Sequence, residues 1–374
     1  MEEEKKVEEV EVEAKRPQGY KKTIGLVLVT LLITAVMVVV FMNIGDFSKT
    51  WEQLLKMDAG YLWIAIGCVV LYLLTWPVSL MILTRKSKVK VSKLDDFLIG
   101  GSEHFFNGIT PFSSGGQPIQ IYLYTQNGMT AANATGIVIS NFIAFMISTN
   151  AYAIASLFFF GKFTAGFTPA TIWMVILGFV MNLFTLFFII ALASSSKLRN
   201  LLIRLFTALG KIKFLTKIVD KTLPGFVEYC NNFQLASKEI MSHKKEFIFA
   251  ILSRAFSLVF YYSIPFFILR GLGVEVLAQD IIFIILASSF TITTMVWVPT
   301  PGGTGGIEFA FTYIFIIFFM NMANSQEIIT ASMIMWRFLT YYLLMVLSAI
   351  EYITYEIIIK RRRKKKKMME EVHD

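Results

Sequence analysis

Long apolar runs, rather than short alternating stretches, dominate this chain. Runs at 24–42, 61–83, 131–160, 170–193, 247–269, 281–298, 307–320 and 328–359 carry few or no charges. A helix needs about 20 apolar residues to cross the hydrocarbon core of a bilayer. The pattern predicts an all-α fold: a polytopic integral membrane helical bundle of about eight spanning segments. The runs at 131–160 and 328–359 are long enough to tilt or protrude, whereas 307–320 is short, so regular spanning is expected to fail there.

Residues 94–127 hold two half-length apolar arms around Thr110-Pro111-Phe112-Ser113-Ser114-Gly115-Gly116-Gln117-Pro118. Two arms around a Gly/Pro break predict a re-entrant hairpin, which a bilayer tolerates only where the backbone faces protein or a wet cavity. A second break, Thr300-Pro301-Gly302-Gly303-Thr304-Gly305-Gly306, interrupts the apolar stretch that starts at 281. The two share the pattern TPxxxGG at a separation of 190 residues, and counting spans brings them in from opposite faces of the membrane. Corresponding interruptions in two halves are the sign of an inverted repeat with a transport site near the midplane. Simple helix kinking would also produce them.

Composition and charge narrow the class. Of 374 residues, 56% are hydrophobic and 16% charged, against about 25% charged in an ordinary soluble domain, which excludes a soluble enzyme. The net charge is +9, and 29 of the 35 Lys and Arg fall in 1–22, 85–93, 197–245 and 360–367. The positive-inside rule then assigns these four segments, and both termini, to the cytoplasm. The expected organisation is a charged tail at 1–22, a transmembrane domain at 23–359, and a polybasic tail at 360–374. Within 197–245, Leu198, Leu201, Leu202, Leu205, Leu209 and Ile212 recur near helical spacing among basic residues, which predicts an amphipathic helix on the anionic leaflet. The acidic, polar start does not read as a cleavable signal peptide. Cys68 and Cys230 lie far apart in sequence, so neither a disulfide framework nor a metal site is expected. Nothing in the sequence calls for a cofactor or a nucleic-acid partner, and no Walker, nucleophile-elbow or zinc spacing points to catalysis.

Candidate function therefore rests on the breaks and the charges near them. A broken helix frees backbone N–H groups at an electropositive end that can hold a phosphate. Gly115, Gly116, Gly302, Gly303, Gly305 and Gly306 would let a lipid headgroup approach the backbone, with hydroxyls from Thr110, Ser113, Ser114, Thr300 and Thr304. Alternatively, these small residues only permit close helix packing. Charge at membrane depth is costly and marks function by default. Glu308 and Arg337 are candidates for headgroup binding or for a structural ion pair with each other. Glu103, His104 and Arg254 form a candidate charge relay, although Arg254 can instead snorkel to the headgroups.

The residues Asn107-Gly108-Ile109-Thr110-Pro111, Gly115-Gly116-Gln117-Pro118, Pro301-Gly302-Gly303-Thr304-Gly305-Gly306-Ile307-Glu308 and Trp336-Arg337-Phe338 resemble the transmembrane domain of lysylphosphatidylglycerol synthase. This is the flippase part of the multiple peptide resistance factor. The likeness extends over about 20–360. It implies a multi-pass protein of a bacterial cell membrane that moves phospholipids such as aminoacylated phosphatidylglycerol, linked to membrane charge and cationic-peptide resistance. Membrane phospholipids, further copies of the chain, and a separate aminoacyl-lipid synthase are the partners it suggests. The alternative is a phosphatidylglycerol lysyltransferase, or a non-catalytic membrane subunit of one, but the chain has no segment matching the family's cytosolic transferase domain. Common members carry an acidic residue and an Arg after the first glycine pair, where this chain has Pro118 and Gln120. Glu308 and Arg337 match.

Overall fold

A computed structural model describes residues 47–87, 89–212, 216–295, 297–298, 300–316 and 325–373. The tail at 1–22 and the first predicted span at 24–42 lie outside the described residues. The elements are α1 (Phe47–Leu55), α2 (Ala59–Thr84), α3 (Lys93–Gly101), α4 (Glu103–Ile109), α5 (Gly116–Gln126), α6 (Ala131–Ser156), α7 (Pro169–Ser194), α8 (Ser196–Leu209), α9 (Thr216–Ser242), α10 (Lys244–Gly271), α11 (Ile281–Met295), α12 (Gly306–Phe315), α13 (Ser325–Arg337) and α14 (Leu344–His373). A π-helical turn, Phe338–Leu343, joins the last two into one rod. No strand occurs among the described residues.

Six helical stretches are long and apolar enough to cross a membrane: Ala59–Thr84, Ala131–Phe163, Pro169–Ser194, Lys244–Gly271, Ala278–Met295 and Ser325–Arg363. Their starts follow local chemistry. Asp58 caps α2 by accepting from the Gly60 N–H at 2.7 Å, and Thr130 and Thr168 cap α6 and α7, each satisfying a donor the first turn leaves unpaired. The expected seventh run is shorter than a span: α12 has 10 residues. It is the return arm of a hairpin. Glu308 pairs with Arg337 and Thr312 with Met333, so α12 runs antiparallel to α13.

Basic segments among the described residues share one end of the bundle. Lys86, just past α2, pairs with Glu246 at the start of α10 at 2.8 Å, while Arg362 and Arg363 of α14 reach Asp95 and Gln126. At the opposite end the Asp58 N–H donates to the Gly271 carbonyl at 2.8 Å. The segment 197–245 holds the expected amphipathic helix as α8, which leaves Leu201, Leu205 and Leu209 exposed, and α9, which docks on α6, where a Cβ on Gly136 would run into Ala236. The largest core cluster joins α2, α10, α11, α12 and α13, with Trp336, Phe290 and Phe311 buried in it. Large apolar side chains such as Trp173, Phe184 and Phe187 cover the outside of α7, as lipid contact requires.

Candidate functional site

Both predicted breaks are real, and they meet. α3 and α4 run in from the basic end, the chain breaks at Thr110–Ser114, and α5 returns. α11 comes from the other end and stops at Met295, and α12 starts at Gly306 and turns back. Pro111 and Pro301 form an isolated antiparallel bridge. These prolines hold the same position in TPxxxGG, and equivalent residues paired with opposed chain directions are the local geometry of a two-fold axis. Backbone conformation is unusual on both sides. Phe112 and Ser113 take positive φ of 56° and 50°, which L residues rarely adopt. Gly302 and Gly305 have φ of 61° and 96°, and a Cβ at Gly302 would collide with the Tyr341 ring.

The two breaks are braced differently from the expectation of free helix ends. At the first, the Gly115 N–H donates to Thr110 Oγ1 and the Gly116 N–H to Asn107 Oδ1, both at 2.8 Å. At the second, the Gly305 N–H donates to Glu308 Oε2 at 2.6 Å. The chain's own side chains occupy the amides on which a phosphate was expected. Ser114 donates to the Pro111 carbonyl, Thr304 to the Pro301 carbonyl, and Thr300 to the Thr304 carbonyl, so these hydroxyls shape the turns.

Each break has its own buried ion pair. Arg337 Nε lies 2.6 Å from Glu308 Oε1, while Nη2 donates to the Gly302 carbonyl and Thr304 Oγ1 at 3.2 Å. The guanidinium also stacks 4.6 Å from the Tyr341 ring centre. This pair ties the π-helical turn of the last rod to the second break, and such turns concentrate at functional sites. Arg254, fully buried, does not snorkel. It stacks 3.7 Å above Trp76 and faces Glu103 Oε2 at 3.7 Å. Glu103 also accepts from Trp76 Nε1 at 2.9 Å, Gln117 Nε2 at 3.2 Å and Gln120 Nε2 at 3.3 Å. His104 sits between Tyr72 and Trp76, with ring centres 5.1 and 4.7 Å away.

Two adjoining cavities lie along the meeting breaks. One of about 130 Å³ is lined by Ser113, Gly302, Ile307, Arg337 and Tyr341. The other, about 250 Å³, is lined by Glu103, Asn107, Gln117, Asn182, Thr293 and Trp297. Tyr72, His104, Ser113, Tyr261 and Ile292 line both. The predicted residues Glu103, His104, Ser113, Gly302 and Arg337 are thus gathered around one space, with Glu308 and Arg254 behind it as charge partners. Thr110, Ser114, Gly115, Gly116, Thr300, Thr304 and Gly305 build its turns. Gly303 and Gly306 pack against Ile307 and Val298.

Sequence reasoning passed over the aromatic lining and Glu351. Glu351 Oε2 is buried without a hydrogen-bond partner, packed against Gly101 of α3. An acid inside an apolar run was its signal. Its nearness to the end of the last run makes it read as interfacial. No group of three or more potential metal-ligating side chains occurs among the described residues.

These features define an α-helical polytopic membrane protein with two glycine-broken hairpins packed break to break. Residues 24–348 match the family model described as the lysylphosphatidylglycerol synthase TM region, and the chain belongs to that family. Comparison with curated proteins gives no match.

Proposed function

We propose that this chain is a lipid translocase that passes a phospholipid headgroup, such as aminoacylated phosphatidylglycerol, through the paired cavities while the acyl tails stay in the bilayer. The observation that carries the reading is the bridge between Pro111 and Pro301. It sets two irregular segments from opposite ends of the bundle against each other beside a cavity that Ser113 and Arg337 help to line. Irregular backbone at membrane depth persists only where it lines a cavity or is buried in protein, and transport sites of inverted-repeat carriers are built this way. Ser113, Gly302 and Arg337 would meet the headgroup. Glu308 keeps the arginine in place, and Glu103, His104 and Arg254 keep the first break polar.

The test uses purified full-length chain in vesicles with fluorescent phosphatidylglycerol or lysylphosphatidylglycerol, read by a membrane-impermeant quencher. Ile292 lines both cavities, so Ile292→Trp fills the shared space. Ile282→Trp places the same bulk on the exposed side of the same helix. Transfer is expected to be protein-dependent, at least tenfold slower in Ile292→Trp, and unchanged in Ile282→Trp. Equal rates with and without protein for both lipids would remove the translocase reading.

A further inference from the structure

The charges beside the larger cavity are already occupied. Glu103 is its one lining carboxylate among the described residues, and its two oxygens face Arg254, Trp76 Nε1, Gln117 Nε2 and Gln120 Nε2. Across the shared wall, Arg337 is held by Glu308, the Gly302 carbonyl and Thr304. Each buried charge therefore has its counter-charge within the protein. An ammonium group placed here would find a carboxylate that is already neutralised and solvated by donors, and it would lose its own hydration without recovering it.

Among the residues that line this cavity, the groups left without hydrogen-bond partners are neutral, whereas the guanidinium nitrogens of Arg254 behind it face the Glu103 carboxylate and the Trp76 ring. Thr293 Oγ1, Trp297 Nε1 and His104 Nε2 are buried with no hydrogen-bond partner, and all three residues line this cavity. Thr293 itself is fully buried. It differs from its neighbours Thr291 and Thr294, which both donate to the carbonyl four residues back. Buried polar atoms without partners are rare and call for an explanation, and buried Trp N–H groups usually find an acceptor. Asn107 and Asn182 use their side-chain carbonyls on the Gly116 N–H and on Asn150 Nδ2, bonds that do not involve their own NH2 groups. Aromatic residues, including Tyr72, Tyr261 and Phe145, make up much of the remaining lining, with Met146, Leu258 and Ile292 among the rest; the C–H face of a small ring or polyol can lie against such apolar walls.

From this we infer that the larger cavity is a subsite for the neutral, hydroxyl-rich end of a headgroup bearing vicinal diols, a sugar or a terminal glycerol, rather than for a cationic aminoacyl group. The inference rests on the translocase reading and narrows its headgroup class, setting aside the aminoacylated example given there. The Thr293 hydroxyl, the Trp297 N–H and the His104 imidazole would exchange hydrogen bonds with the ligand's hydroxyls. Ligand hydroxyls both donate and accept, which suits a lining that mixes donors with ring nitrogen.

Binding and movement are measured separately. Full-length protein in phosphatidylcholine vesicles is titrated with short-chain hexosyl-diacylglycerol, phosphatidylglycerol and lysylphosphatidylglycerol, and binding is read by tryptophan fluorescence. Fluorescent versions of the same lipids are followed by quencher accessibility. Thr293→Val removes one donor at nearly constant shape, and Trp297→Phe removes another while keeping an aromatic ring, though a smaller one. Their folding is checked by melting, and their binding is read by displacement of a labelled hexosyl lipid. The expected result is at least tenfold tighter binding of a diol-bearing lipid than of the lysyl lipid, weakened fivefold or more by each variant. The hexosyl and phosphatidylglycerol arms show whether sugar or glycerol is preferred. Tighter binding of the lysyl lipid, or diol binding unmoved by both variants, would overturn the inference. The latter result would mean that water satisfies these groups. Diol binding without movement of any lipid would retain the subsite and sink the translocase, whereas movement of the lysyl lipid alone would do the reverse.

Discussion

Asp96 shows how strongly position alone can alter a side chain. It lies in the first turn of α3 at the basic end, beyond the last residue of α2, and is buried. Burial pushes its carboxyl up to about 7, with Asp95 adding to the rise, while hydrogen bonds from Tyr124 and Thr84 and the charge of Arg85 hold it back. The unfolded chain releases this proton near 3.9. Between those values the folded state binds more protons than the unfolded one, so stability falls as pH rises from about 4 through 7 and then levels. Asp96→Asn is expected to remove that slope. Melting temperatures of both proteins in detergent, measured from pH 4.5 to 8, check it: the variant should gain on the parent as pH rises. A constant difference across the range would show that Asp96 does not titrate there. Arg337 and Glu308 follow a different logic. Buried together, they are held because removing either would strand the other's charge.

At the scale of elements, what could be read in advance was what periodicity and composition encode. Five of the six spanning helices begin and end within a few residues of the runs in the sequence, because about 20 apolar residues with a capping side chain leave little choice. The last extends past its run into the basic tail. Both breaks were legible for the same reason, since Pro and Gly act locally. What was not legible depends on contacts distant in sequence. Nothing near Trp76 announces that Arg254 will stack on it, and nothing in Phe338–Leu343 announces a π turn. Free helix ends were expected, but Asn107 and Thr110, from the other side of the first break, take the amides of Gly116 and Gly115, and Glu308 takes that of Gly305 at the second, because a polar side chain already in place reaches an amide sooner than a ligand does. The second break offers a direct test. At Gly302 a Cβ meets both an unfavourable φ and the Tyr341 ring. Gly302→Ala should destabilise the protein by about 1–3 kcal/mol, visible as a lower melting temperature. Gly225, where a Cβ would meet nothing nearby, serves as the control, and Gly225→Ala should not lower it. An unchanged melting temperature for Gly302→Ala would mean that the turn is not held as described.

For the whole molecule, the decisive relation is between two segments that the sequence separates by 190 residues and the fold sets side by side. If the cavity is used from both sides of the membrane, the hairpins must part or slide alternately, since one rigid arrangement cannot open both ways. Their contact can be made covalent. Antiparallel pairing brings opposed Cα atoms to about 4.5–5.5 Å, within the 4.4–6.8 Å range of disulfides. Cys68 and Cys230 are free and buried, so a Cys68→Ala, Cys230→Ser background leaves only introduced thiols. Adding Pro111→Cys and Pro301→Cys should give rapid cross-linking on mild oxidation, read by protease cleavage in the 197–245 segment followed by gel electrophoresis. Failure to cross-link would refute the meeting of the breaks. Cross-linked protein should lose lipid movement and recover it on reduction. Movement that survives complete cross-linking would show instead that the hairpins need not separate, and that the headgroup passes beside a fixed junction.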